Sequence, residues 1–452
     1  MTQRPQVKDW NRVEEDALAL FARLLMADTR NPPGNEALVA GLVREELERV
    51  GLKPTVVEKV PGRSNLVLRL PGSGTGPSLL LDSHADVVGV REEEWTVPPF
   101  AGQVRDGCIW GRGALDMKHM TAMSTTVVAT LHRLGVKLAG DLTLAITADE
   151  EDGGDAGVRF LCEEHPGLVK SDFALGEVGG FSIQVENQRF FPVQVAEKGA
   201  CRISVELAGT GGHGSVPNPD SAPARLGKVL ERIRRLRFPI APHPAARVFL
   251  ESLAEASPLP QKVALSLLSR GVLADFLLDH VVPEDRRNRL KAMLSNTCQA
   301  TMVNAGERSN VVPTRGVIEL DCRVLPGVDP REMEAEVQRA MGPLGKAVLR
   351  CGWRGHATSL DNPLLEQIRR TVSVMDPGAV VTPYLMPAFT NGGAYSTTGV
   401  VGSYLGFTPV LMPPSLDYVS LFHAPDERCP VQGFRWGVRT LFEVVRGFLE
   451  VP

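Results

Sequence analysis

Between residues 64 and 176, short and almost wholly apolar segments alternate with stretches of helical periodicity. This alternation restricts the fold more than any other feature of the chain. Strands are expected over about 64–70 (SNLVLRL), 78–82, 141–147 and 173–176. Helices are expected over 118–134, closed by Gly135, and near 155–164. Two more precede them, over 13–27 and over 36–50, the second stopped at Gly51. Glycine after the last periodic residue is a common helix terminator because it accepts a positive φ. Apolar strands separated by helices of ten or more residues predict an α/β fold with a mostly parallel sheet flanked by helices.

The pattern changes near residue 198. Residues 201–207 (CRISVEL) alternate strictly, with Ile203, Val205 and Leu207 on one face, as in a sheet wet on its other side. An amphipathic helix over 222–237, a helical stretch over 245–295, an alternating strand over 317–324, a helix over 330–341 and a strand over 346–351 follow. From about 360 the chain returns to helix and buried strand, ending in a helix over 431–449. With 452 residues the prior is two to three domains. The expected division is a catalytic domain at 1–197 and 356–452, interrupted by a smaller α+β domain at 198–355.

Charge and cysteine content narrow the class. Lys plus Arg is 49 and Asp plus Glu is 53, a balance unlike that of a nucleic-acid binder. Seven cysteines without a Cys-x-x-Cys pair argue against a disulfide framework and for a reducing compartment. The amino-terminal MTQRPQVKDW lacks the apolar core of a signal peptide. The uncharged stretch 377–416 is broken by prolines and glycines and reads as buried loop and strand, not a membrane span. A soluble, cytoplasmic protein is the expectation.

Acids and histidines collect where the first domain's strands end. In SHADVV (83–88), His84 and Asp86 lie two apart on extended backbone, so Asp86 is placed to fix the tautomer of His84. GRGALDMK (111–118) delivers Asp116 to the start of a helix; in isolation it reads equally as a cap. ADEEDGG (148–154) puts Glu150 and Glu151 directly after a buried strand, where adjacent carboxylates repel unless a cation or solvent relieves them. Glu177 in LGEVGG and His423 in LFHAPDER complete the set. His, Asp and Glu ligands of this kind suit borderline ions such as zinc.

In this order the five motifs resemble those of the zinc-dependent aminoacylase, carboxypeptidase and acetylornithine-deacetylase family, over nearly the whole chain. The resemblance implies two divalent ions, Zn2+ first with Co2+ or Mn2+ as alternatives, bridged by Asp116 and a water or hydroxide. It assigns His84 and Glu177 to one metal, and Glu151 and His423 to the other. Glu150 matches the family's general base, and Asp86 the partner of His84. In GTGGHGSVP (209–217), His213 matches a histidine of the lid that supports the developing oxyanion. Asn310 and Arg323 match the polar clamp for the substrate, Arg323 gripping an α-carboxylate. The inserted domain resembles the family's lid and dimerisation domain, implying a homodimer.

Two positions depart from the pattern. Thr390-Asn391-Gly392-Gly393 stands where the acylase and carboxypeptidase members carry Thr-Asp-x-Arg. His119 stands where many members have Gly, and it is read as a helix-surface residue or a supporting group, not a ligand. The function expected is a di-metal hydrolase of an amide or peptide bond next to a free carboxylate, acting on an N-acyl amino acid or short peptide. The rival is a non-catalytic dimeric metal-binding or sensor protein on the same fold.

Overall fold

The computed structural model describes residues 6–451, so the first five residues of the amino-terminal segment read above lie outside it. The chain forms two compact units. Unit 1 holds the chain up to Val195, Thr358–Tyr384 and the residues from Thr390 onward; unit 2 holds Ala196–Ala357 and Leu385–Phe389.

The sheet of unit 1 runs in the order Thr55–Glu58, Ser64–Leu70, Leu142–Thr147, Leu79–His84, Ser171–Gly176, Val401–Gly406, Gln188–Glu197. Its four central strands, Leu142–Thr147 through Val401–Gly406, are mutually parallel, and the flanking pairings are antiparallel. Strands Leu79–His84 and Leu142–Thr147 are buried at every residue. That is why they read as continuous apolar runs instead of alternating ones. One face packs Leu80, Ala145 and Ala174 against helices Val158–Glu164 and Asn391–Thr398. The helix Lys118–Arg133 packs on Leu79–His84 and Leu142–Thr147, and against the helices Trp10–Met26 and Val431–Leu449. Phe21 and Phe434 stack between those last two at 4.8 Å.

Much of this follows the expected pattern: 64–70, 330–341 and 431–449 agree to the residue. Gly51 and Gly135 sit at φ +84° and +63°, as helix terminators do. The stretch 377–416 differs, because it contains a helix at Asn391–Thr398 besides two strands. Gly392, Gly393 and two threonines hide that helix from propensity. Its ends are nevertheless well formed, with the Thr390 side chain accepting from the Gly392 N–H and Gly399 closing it at φ +68°.

Unit 2 is built on a four-stranded antiparallel sheet in the order Thr297–Ala305, Arg315–Val324, Gly199–Ala208, Lys346–Trp353. Helices Ala222–Arg234 and Pro330–Met341 cover one face through Cys201, Ile203, Val205, Leu226, Val229, Met333 and Val337. The stretch 245–295 resolves into four helices, Pro244–Ala256, Gln261–Ser269, Ala274–His280 and Glu284–Leu294. All seven cysteines are free. Among the described residues no helix is long and apolar enough to cross a membrane.

Candidate metal centre

Parallel strands bring their carboxyl ends to one edge of the sheet, and polar residues that follow them meet there. His84 ends the strand Leu79–His84, Glu150 and Glu151 follow Leu142–Thr147, and Glu177 follows Ser171–Gly176. Asp116 comes from the loop before helix Lys118–Arg133, and His423 from the segment before the last helix. All six lie in unit 1.

Asp116 is the centre of the arrangement. Its Oδ1 lies 3.1 Å from His84 Nε2 and its Oδ2 lies 3.2 Å from His423 Nε2. His84 Nε2 is also 3.6 Å from Glu177 Oε2, and His423 Nε2 is 3.3 Å from Glu151 Oε2. Two triads result, His84–Asp116–Glu177 and Asp116–Glu151–His423, each with ligand atoms within 4.8 Å of one another. They share Asp116 and use one of its oxygens apiece.

The electrostatics are those of an anionic cluster short of positive charge. Burial holds the carboxyl groups of Glu150, Glu151 and Glu177 above the usual range, and the neighbouring carboxylates add to it. For Asp116 burial acts upward too, but hydrogen bonds to His423 and His84 outweigh it and hold it low. The same bonds to Asp116 and Glu151 push His423 up to about 10. Glu151 Oε1 and Glu177 Oε1 are buried with no hydrogen-bond partner among the described residues. Buried polar atoms are seldom left so. A nitrogen-and-carboxylate donor set with two unsatisfied carboxylate oxygens fits a pair of divalent cations.

Asp86 lies against His84 and also has a second set of partners. The hydrogen bond at 3.0 Å from His84 Nδ1 goes to the Asp86 backbone oxygen, while the carboxylate Oδ1 stands at 3.6 Å. That carboxylate instead accepts the N–H groups of Glu150 and Glu151 at 3.0 and 3.1 Å, and the amide of Asn31 at 2.8 Å. The turn after the strand aims the side chain at the 150–151 backbone, so Asp86 holds the acidic loop as well as the histidine. Behind it Asn31 and Arg63 both reach Asp149, which sits at φ +67°. A non-glycine residue rarely adopts that conformation, and these bonds keep it there.

His119 is fully buried, not on a helix surface, and belongs to neither triad. Burial lowers its pKa to about 3, so it is neutral, and its ring lies 5.5 Å from that of Phe181. Asn391 is in the interior as well, donating to Asp82 at 3.2 Å and to Thr147 at 2.9 Å. The departure at 390–393 therefore sits in a buried polar network with Tyr395 and Tyr404.

In unit 2, His213 is on a two-residue strand paired with Val311–Val312, so the ribbon brings it beside Asn310, whose backbone oxygen accepts from Gly214 at 2.9 Å. Its Nδ1 lies 2.8 Å from the Ser215 hydroxyl. Arg323 is elsewhere, on the polar face of the four-stranded sheet, in a bidentate pair with Asp321 at 2.8 and 3.0 Å.

Comparison with known proteins matches residues 80–447 to the model of peptidase family M20/M25/M40. Aminoacylase-1 of Sus scrofa is 27 % identical over 446 residues, covering 97 % of both chains. An M20 family metallo-carboxypeptidase from Sulfolobus solfataricus superposes with a TM-score of 0.72 at 17 % identity, over 96 % of this chain and 99 % of that one. The YXEP protein of Bacillus subtilis, described as a dinuclear metal-binding peptidase of the M20 family, has a TM-score of 0.59 at 12 % identity, over 96 % and 98 %.

Proposed function

The chain belongs to peptidase family M20/M25/M40, metallo-hydrolases of amide and peptide bonds, and from that premise we propose a di-metal hydrolase that frees an amino acid from an N-acyl amino acid or a short peptide. The observation that carries the reading is the division of Asp116 between two histidine-containing triads. In it His84 and Glu177 would hold one divalent ion, Glu151 and His423 would hold a second, and Asp116 would offer one oxygen to each. The chemistry that such ions, Zn2+ foremost, would supply when bound is a more acidic water and a polarised scissile carbonyl.

The protein's own groups do the rest. Glu150 belongs to neither triad, which leaves its carboxylate able to take a proton from the attacking water and deliver it to the departing amine. Asp86 fixes the Glu150 and Glu151 backbone. On the resemblance, His213 donates to the developing oxyanion, and Asn310 and Arg323 hold the substrate's polar groups. Unit 2 carries the contact of a homodimer in this reading. A non-catalytic binding protein is not favoured, since the base and all five ligands are gathered in one place.

The test is hydrolysis of a panel of N-acyl amino acids and dipeptides by zinc- or cobalt-loaded protein, beside Glu150→Gln. The variant keeps two metals per chain and loses about 100- to 10,000-fold in kcat. Full turnover in the variant, or turnover in the presence of a strong chelator, sinks the reading. A preference for substrates without a carboxylate removes the role given to Arg323.

A further inference from the structure

Glu427 lies four residues beyond His423 and is completely buried. Its carboxylate makes four hydrogen bonds, and all of them go to the loop that carries Asp116. Oε1 accepts the backbone N–H of Leu115 at 2.6 Å and of Asp116 itself at 3.0 Å. Oε2 accepts the Gly113 N–H at 3.0 Å and the Arg112 guanidinium at 2.7 Å. The Glu427 backbone oxygen takes a fifth bond, from the Gly111 N–H. Residues 111 to 116, apart from Ala114, thus hang on one residue more than 300 positions away. Arg112, itself nearly buried and set over the Trp95 ring at 5.2 Å, supplies the countercharge.

We infer that Glu427 is the positioning residue of the second triad: it sets the separation between Asp116 and His423 and so the affinity for the ion they share. The inference rests on the functional reading above. Asp116 and His423 are on separate loops, and a loop end has no ladder of hydrogen bonds to register it against its neighbour. A single carboxylate that takes the N–H of Asp116 while standing on the segment of His423 supplies that register. His423 has φ +59°, a backbone conformation costly to a non-glycine side chain, so its segment needs an anchor. The other triad has its own frame, because His84 and Glu177 stand at the ends of hydrogen-bonded parallel strands.

The experiment compares metal stoichiometry and chelator-competition affinity for wild type, Glu427→Gln, Glu427→Asp and Glu14→Gln. Glu14 is also a buried acid of unit 1 paired with an arginine, Arg439, and it lies far from the triads in sequence. It reports what a general loss of stability does. Glutamine keeps the size but turns a donor toward donors, so the affinity for one of the two ions falls by about 10- to 100-fold while the other moves less. Excess metal restores kcat, and KM for substrate is unchanged. Glu14→Gln lowers the melting temperature of the metal-free chain without changing either affinity. Two unchanged affinities or two equal losses in Glu427→Gln, or the same selective loss in Glu14→Gln, overturn the inference. Should Glu427→Gln not fold, Glu427→Asp takes its place and must show the same selective loss. A wild-type chain that binds fewer than two ions overturns the functional reading instead, and a wild type that passes while Glu427→Gln binds normally overturns only the inference.

Discussion

Asp116 meets a histidine on each side because its carboxylate has two oxygens and both are in use. Residue types and order point to this cluster: every residue of the two triads stands in one of five short motifs, and a strand end followed by His or Glu is a local signal. What was not legible is what holds those residues. Glu427 sits inside a motif, yet nothing in LFHAPDER says that its partner is a loop 311 to 315 positions earlier. Asn31 and Arg63 lie in segments without any chemical signature, and only burial reveals them. Lys198 was equally silent. It is fully buried in unit 2, donates to Ala292 O, Ser295 O and the Thr297 hydroxyl, and burial pushes its pKa down to about 7. Between there and its ordinary value of 10.5 the unfolded chain binds more protons than the native one, so stability rises with pH. Melting of unit 2 from pH 7 to 9.5 should show that rise in wild type and a flat profile in Lys198→Met. A rise retained in the variant would assign it to other groups.

Among the elements, the helix Asn391–Thr398 is one that sequence reading passes over. Its glycines are not loop markers: they are buried, and the helix packs with Leu80, Ala145 and Tyr404. Asn391, one of the two residues that depart from the resembled Thr-Asp-x-Arg pattern, begins this helix, and an acid there would face Asp82, already pushed up to about 7 by burial. Asn391→Asp removes one donor and adds a second carboxyl. It should cost about 2–3 kcal/mol in denaturant unfolding at neutral pH. A neutral result would mean that the interior relaxes around the new acid. By contrast, the central strands and the long helices were readable because each combines an apolar period with a clear terminator. The final helix Val431–Leu449 carries both marks of an amphipathic element, with Phe434, Val438, Leu441 and Val445 facing inward.

For the molecule as a whole, both triads belong to unit 1 and none of their residues to unit 2. Ions that bind only the native form stabilise what they bind to, by about 4 kcal/mol at a thousandfold excess over Kd. Calorimetry with and without chelator should therefore lower the transition of unit 1 and leave that of unit 2 in place. Equal shifts in both, or none, would contradict the assignment of the metals. The interrupted course of the chain has one more consequence, in time instead of space. His84, Asp116 and Glu177 have all been synthesised by the point where unit 2 begins, whereas His423 follows Asp116 by 307 residues. At ordinary rates of synthesis that is about 15–60 s. The residues of one triad are all made before unit 2 is begun, and those of the other only after it is finished.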